Sequence, residues 1–554
     1  TGNRNRSMNP KPPVRIFIPA TWPHLSAALL MALGSTARGG DILRGGGAPA
    51  APARSSAAGS EAGGVQADRA RVNAQDALAR TTQAIMSVKS MQDAARAAAA
   101  QLNSAAAGLP TVPNGLGAGG LQVAPGAATN PALWSGANQP VASTRTTSTG
   151  TTQVVTVKQT AQQALLNWES FNVGRSTELY FDQPSGGASR NQWIAFNTVN
   201  DPSGVPSQIL GSIKAEGQVY VINQNGIIFG GASQVNTHSL VASSLPLNEN
   251  LVSRGLLNNP DSQFLFSSLA QPAGKNGTPA MTPAAGYAPG GRIGDVTVQA
   301  GARLTSPTSA DKVGGRIALI GPNVTNAGTI DTPDGQTILA AGLQVGMVGH
   351  DSSDPTLRGL DVYVGAVTDP ASVIPSYAGA AVNSGLISAL RANVTITGKE
   401  VTNNGAIDSS TSVSLNGRID LKASYDAVSV NGADSQVPFL FRQAGTVTLG
   451  NGSAARILPE RDSTEKAVGT KLALTSQVNM EGRAVHFAEN STLVAPNANI
   501  NINAGSWVYF GSDTPPTSRF VQQNGQIYLD RGAILSAAGS TDVVVPLSQN
   551  FVTA

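Results

Sequence analysis

The chain of 554 residues contains no cysteine. Disulfides and thiolate metal sites are therefore excluded. In a long exported chain the lack also removes any cross-link that would block threading through a narrow pore, though chance gives the same composition. Charged residues make up 12% of the chain, about half the usual share, and aromatics 5%. Net charge is only +3, and no run of Lys or Arg interleaves with aromatics, so no nucleic-acid partner is expected. The four histidines, His24, His238, His350 and His486, are scattered and form no His-x-x-x-His pair. No metal site and no cofactor is expected. There is no Gly-x-Ser-x-Gly elbow and no Gly-Lys-Ser/Thr phosphate loop. Residues 115–120 superficially match a dinucleotide loop, but no strand pattern precedes them and Pro110 and Pro113 lie just upstream.

Glycine, asparagine, serine, threonine and valine are what the chain has instead. Residues 218–245 show how they are used. Val219-Tyr220-Val221-Ile222 is a β-branched and aromatic run long enough for one short strand. Asn223-Gln224-Asn225-Gly226 follows, and Asn-Gly marks a turn that needs positive φ. Ile227-Ile228-Phe229, Gln234-Val235-Asn236 and Ser239-Leu240-Val241 read as three further strands. Strands this short make poor hairpins. They suit the coils of a right-handed parallel β-helix, in which each strand pairs with the coil above and the coil below.

The pattern recurs along the chain. Residues 296–304, 485–493 and 527–535 align without gaps, each with apolar residues two apart, a Gly or Asn corner and a further apolar residue. Asn-x-Gly-x-Ile begins at Asn326, Asn383 and Asn403. Recurrence of this kind indicates a solenoid. One coil buries too few side chains to offset the entropy of ordering it, so coils must stack. The strand signal is continuous from residue 151, with residues 251–291, rich in Pro, Gly and Asn, read as an excursion from the coils.

Several ordered motifs resemble those of the two-partner secretion domain of filamentous-haemagglutinin-like exoproteins. Asn223-Gln224-Asn225-Gly226-Ile227 is similar to the family's Asn-Pro-Asn-Gly-Ile signature, with Gln224 in place of proline and a less rigid turn in consequence. Asn167-Trp168-Glu169-Ser170-Phe171-Asn172-Val173 resembles its early strand. Phe196-Asn197-Thr198-Val199 and Leu210-Gly211-Ser212-Ile213 resemble its next two motifs. The pattern continues through residues 314–321, 326–330 and 339–342. The resemblance implies export through a partner outer-membrane β-barrel transporter and a secreted or surface location. An adhesive role toward a receptor or glycan on a host or neighbouring cell is also implied. It marks Asn197, Asn223, Gln224, Asn225, Gly226 and Ile227 as the secretion motif, through direct contact or by stabilising the domain that is recognised.

The expected organisation is all-β, preceded by an Ala-rich helical and low-complexity segment. Residues 1–40 read as an export signal: Arg4, Arg6, Lys11 and Arg15 precede an apolar core at 25–33 and small residues at 35–37. A disordered leader is the alternative, since Pro19 and Pro23 interrupt the segment. Residues 41–150 are rich in Ala, Gly and Pro, with a helix near 66–102 that either packs on the coils or stands in a linker. Residues 151–350 form the secretion domain and 351–554 continue the coils. Ala554 is expected not to be a natural terminus, because nothing covers the open end of the coils there. Two rival functions are a stalk for a contact-dependent toxin and a polysaccharide-cleaving β-helix. The second would use Asp331 with Asp334, Asp351 with Asp354, or Glu460 with Asp462, although loop corners explain these pairs too. No enzymatic activity and no catalytic residue is expected. Asn-x-Ser/Thr at Asn276, Asn323, Asn393, Asn451 and Asn490 reads as turn asparagine.

Overall fold

The β-branched runs of residues 218–243 form the strands their composition calls for. Gln218–Asn223, Ile227–Phe229 and Gln234–Asn236 lie on three successive walls. Ser239–Ser243 then returns over the first, with Val219 opposite Leu240. Three strands thus close one coil, and the fourth begins the next. The computed structural model describes residues 111–538, except 149, 257–258, 260–262, 270–292, 309–312, 351–355, 369–377, 413, 431–438 and 461–473. The export signal at 1–40, the helix near 66–102, His24, Asn276, Asp351, Asp354, Asp462 and residues 542–547 lie outside the described residues.

The coils build a right-handed parallel β-helix with three sheets, of 12, 9 and 12 strands among the described residues. Sheet 1 runs through Gln163–Phe171, Ile194–Val199, Gln218–Asn223 and Ser239–Ser243 to Asn499–Ala504. Sheet 2 contains Ile227–Phe229 and sheet 3 contains Gln234–Asn236. Period-two alternation sends every second side chain inward, where the same position in successive coils stacks. On sheet 3 the inward column reads Val155, Leu179, Ile213, Val235, Leu304, Ile330, Ile387 and Ile407. All are buried. These aliphatic stacks, with the interstrand hydrogen bonds, supply what one coil lacks alone.

The gapless repeats occupy equivalent places. Val485 lies opposite Ile527 and Leu493 opposite Leu535. Their corners, Gly301, Asn490 and Gly532, all have φ between 59° and 93°, which explains the restriction to Gly or Asn. The Asn-x-Gly-x-Ile repeats form a ladder inside the helix. Asn326 Nδ2 donates to Asn383 Oδ1 at 2.8 Å, and Asn383 Nδ2 to Asn403 Oδ1 at 2.7 Å. Asn326 and Asn383 are 57 residues apart yet directly opposed, because the chain leaves the coil between them. Asn383→Ala should leave a buried donor and a buried acceptor without partners, at about 2–4 kcal/mol. Amide exchange should then accelerate in Val324–Asn326, Ala380–Asn383 and Glu400–Asn403. Unchanged protection in these strands would show that the ladder contributes nothing.

The first coil is capped. Leu121–Val123 and Trp134–Ser135 pair antiparallel with Gln163–Phe171, and Trp134 meets Trp168 edge-on at 5.2 Å. Composition alone gave residues 111–147 no strand reading; of these, residues 116–137 are ordered here by the core end they cover, while Val141–Thr147 extends sheet 3 as an exposed strand. Two excursions leave sheet 1 and return across its outer face. Phe266–Ser267, Gln344–Gly349 and Leu360–Val364 form an antiparallel sheet there. With the helix Glu249–Arg254 they bury the outward-facing Phe196, Tyr220, Val241, Ile320 and Ile338 in a second apolar cluster. In the last described coil Ile527, Leu529 and Ile534 stay exposed, and among the described residues their strands are paired on one side.

Candidate secretion-motif corner

The motif residues lie on two neighbouring coils at or beside the corner between sheets 1 and 2. Asn223 ends its strand with its side chain buried. Its Oδ1 accepts from Asn225 N at 3.0 Å, while its Nδ2 donates to Ser207 Oγ of the preceding coil at 2.9 Å. Gly226 N donates to Asn223 O and closes the turn. Asn225 Nδ2 reaches back to Asp201 O at 2.8 Å. The corner is also held from the following coil, where Gly294 N donates to Gln224 O and Ile227 N to Asp295 O. Gly226 has φ of 100°, and a Cβ there would stand 2.7 Å from Asp295 O. Ile227 is buried in the core, between Ser207 and Val296 of its neighbours. Gln224 is half-buried, as is Asn225.

Asn197 sits one coil earlier and is fully buried. Its Oδ1 accepts the Trp168 indole N–H at 3.0 Å, and its Nδ2 donates to the carbonyls of Ala195 and Tyr220. Without it a Trp indole would be buried unpaired. In the folded domain, therefore, Asn197 and Asn223 face protein, and among the described residues of this corner Gln224, Asn225 and the 200–206 loop reach solvent. The partners Trp168, Ser207, Asp201 and Asp295 were not singled out as motif partners. Each belongs to another strand or loop, and only coil register brings them in.

The other candidate chemistry disperses. Arg391 joins Asp334 at 2.6 Å and Glu460 at 2.7 Å, so two acids from different coils share one guanidinium. The Asp334 side chain is fully buried, and its hydrogen bond is the main cause that raises the Arg391 pKa. Asp331 faces Arg303 at 3.7 Å. His350 contacts Asp361 and Arg418, and burial lowers its pKa. His486 pairs with Asp530. Among the described residues no three His, Asp or Glu side chains gather as metal ligands would. Asn323 spends both ends of its amide on Asp295 and Ala380, as a turn asparagine does, whereas Asn393 is buried in the strand Asn393–Thr397, paired with Gln336 and Arg418, and not in a turn as expected.

Stacked parallel coils under an antiparallel cap, with an asparagine-braced corner, define a capped parallel β-helix domain. Residues 132–354, less than half of the chain, match the family model described as the TPS secretion domain. These residues are thus similar to the two-partner secretion (TPS) domain, and proteins with that domain pass through the outer membrane to the cell surface or medium. A heme/hemopexin-binding protein of Haemophilus influenzae is 35% identical over 97 residues, 18% of this chain and 10% of its own length. The heme/hemopexin-binding protein of a second strain is 32% identical over 93 residues, 17% of this chain and 10% of its own. The chain thus covers about a tenth of these curated relatives. The crystal structure of the HMW1 secretion domain from Haemophilus influenzae aligns over 72% of this chain and 98% of its own, with 18% identity and a TM-score of 0.38.

Proposed function

We propose that a partner outer-membrane transporter exports this chain, that it recognises the domain at residues 132–354, and that the coils then act outside the cell as an adhesive surface. The observation that carries the export reading is the coincidence of the family match with the asparagine-braced corner at Asn223, Gln224, Asn225, Gly226 and Ile227. Asn197 and Asn223 serve this function by holding the domain's shape, since both side chains face inward. Adhesion fits an elongated solenoid whose outer faces repeat from coil to coil. The heme binding of the relatives is not carried over, because only about a tenth of their length is shared. Sugar cleavage is disfavoured, because Asp334 is locked in its ion pair and faces no groove.

Protease added to intact producing cells should degrade the chain, or the medium should contain it. A chain found only in protease-protected fractions would overturn the export reading. Cells lacking the chain should attach less to host or neighbouring cells than cells that make it. Equal attachment would remove adhesion and leave export standing.

A further inference from the structure

Two segments that connect sheet 3 to sheet 1 bracket a cleft on the outer face of the solenoid. Pro184–Gln192 stands on one side and Pro307-Thr308 on the other. The cleft holds about 670 Å³, within the range of about 300–1,000 Å³ usual for small-ligand sites. Its floor is an outward column of sheet 3. Tyr180 lies opposite Lys214, and Lys214 opposite Asn236, on three successive coils. Coil stacking sets these positions about 4.8 Å apart, close to the length of one pyranose unit in an extended chain.

The chemistry of the lining narrows the ligand. Its charges are already engaged: Arg190 pairs with Glu216 at 3.0 Å, and Lys214 shares Glu178 with Arg145 at 2.7 and 2.9 Å. The amides of Asn191 and Asn236 carry no side-chain hydrogen bond among the described residues, and Asn236 is exposed. Each amide sets a donor beside an acceptor, a pair that neighbouring hydroxyls complement. Tyr180, half-buried, brings a flat ring with a polar tip. A peptide strand cannot add here, because the floor strands are paired on both sides within sheet 3. Glu216 is the one carboxylate among the described lining residues, and Arg190 holds it, so the paired acids of glycoside cleavage are lacking.

We propose that this cleft binds an uncharged oligosaccharide, laid along the helix axis with successive sugar rings over successive coils. Tyr180 stacks on one ring, and Asn191 and Asn236 bond the hydroxyls of that unit and the next. This rests on the adhesive reading above and gives it a ligand class and a site.

The test presents the purified full chain to immobilised neutral oligosaccharides of hexose and N-acetylhexosamine units, beside their sialylated and sulfated counterparts. Wild type should bind members of the neutral set. Asn191→Ala and Asn236→Ala should each weaken that binding about tenfold, the effect of one or two lost hydrogen bonds, with unchanged melting. Tyr180→Ala should weaken it further; if that variant melts early, the two asparagine variants decide. No binding to the neutral set would overturn the proposal. So would a preference for the charged set, or binding that neither asparagine variant weakens. Equal attachment by cells with and without the chain would overturn the adhesive reading alone, since the oligosaccharide measurement reads the cleft directly.

Discussion

Gly226→Ala is expected to lower stability by about 2–4 kcal/mol and to reduce secretion with it. A non-glycine residue at φ of 100° is strained by roughly 1–3 kcal/mol. The added Cβ, 2.7 Å from Asp295 O, also pushes on the strand that receives Ile227 N. Relieving either contact breaks bonds to the coil above. Synthesis should be unaffected, so the secreted share should fall more than the total. Comparison with Gln224→Ala separates the two roles of the motif. Gln224 is half-exposed and contributes its backbone carbonyl to Gly294, a bond that alanine keeps. If the motif acts through domain stability, secretion should follow melting temperature through Gly226→Ala, Asn223→Ala and Asn197→Ala, and Gln224→Ala should export normally. Lost secretion in Gln224→Ala without loss of stability would mean that the transporter touches this corner directly.

Phe439→Ala is expected to cost about 3–5 kcal/mol, localised outside the coils. The Phe439 ring lies 4.8 Å from Phe264 and 5.1 Å from Tyr363, and it is buried. It rests on Gly346, where a Cβ would come within 2.7 Å of its Cζ. The row continues from Tyr363 through Phe441 and Trp507 to Phe520, at 5.3–5.5 Å between centroids. Aromatic residues are scarce in this chain, yet these rings join segments far apart in sequence. Their edge and offset contacts add to the area they bury. Amide exchange in the Phe439→Ala variant should accelerate in Gln344–Gly349 and Leu360–Val364 and stay unchanged in Arg316–Gly321 and Asn393–Thr397. Acceleration throughout the coils would show that the outer sheet and the solenoid unfold as one unit. Gly346→Ala should produce the same local pattern by displacing the ring.

How much of this was legible beforehand follows from the range of each interaction. Residues 219–241 determined their own strands, because β-branched runs of three or four residues between Gly and Asn corners have few other uses. The corner positions 301, 490 and 532 were fixed locally too, by the need for positive φ. Stacking of the aligned repeats followed from their common spacing and the inability of one coil to fold alone. The secretion motif was visible as a string of residues, and so was its turn.

Only the tertiary structure decided what the motif's side chains face. Asn197 answers to Trp168, 29 residues away, and Asn223 to Ser207, 16 residues away, through coil register that no local pattern encodes. The same holds for Asp334 and Glu460, which the sequence grouped with their own neighbours and the fold joined at Arg391. Residues 111–147 carried no strand pattern of their own, and their cap strands exist because an exposed coil end offers hydrogen bonds and apolar surface to cover. The outer sheet and its aromatic row were hidden for the complementary reason. They depend on segments that leave the repeat, and a repeat predicts only what stays in it.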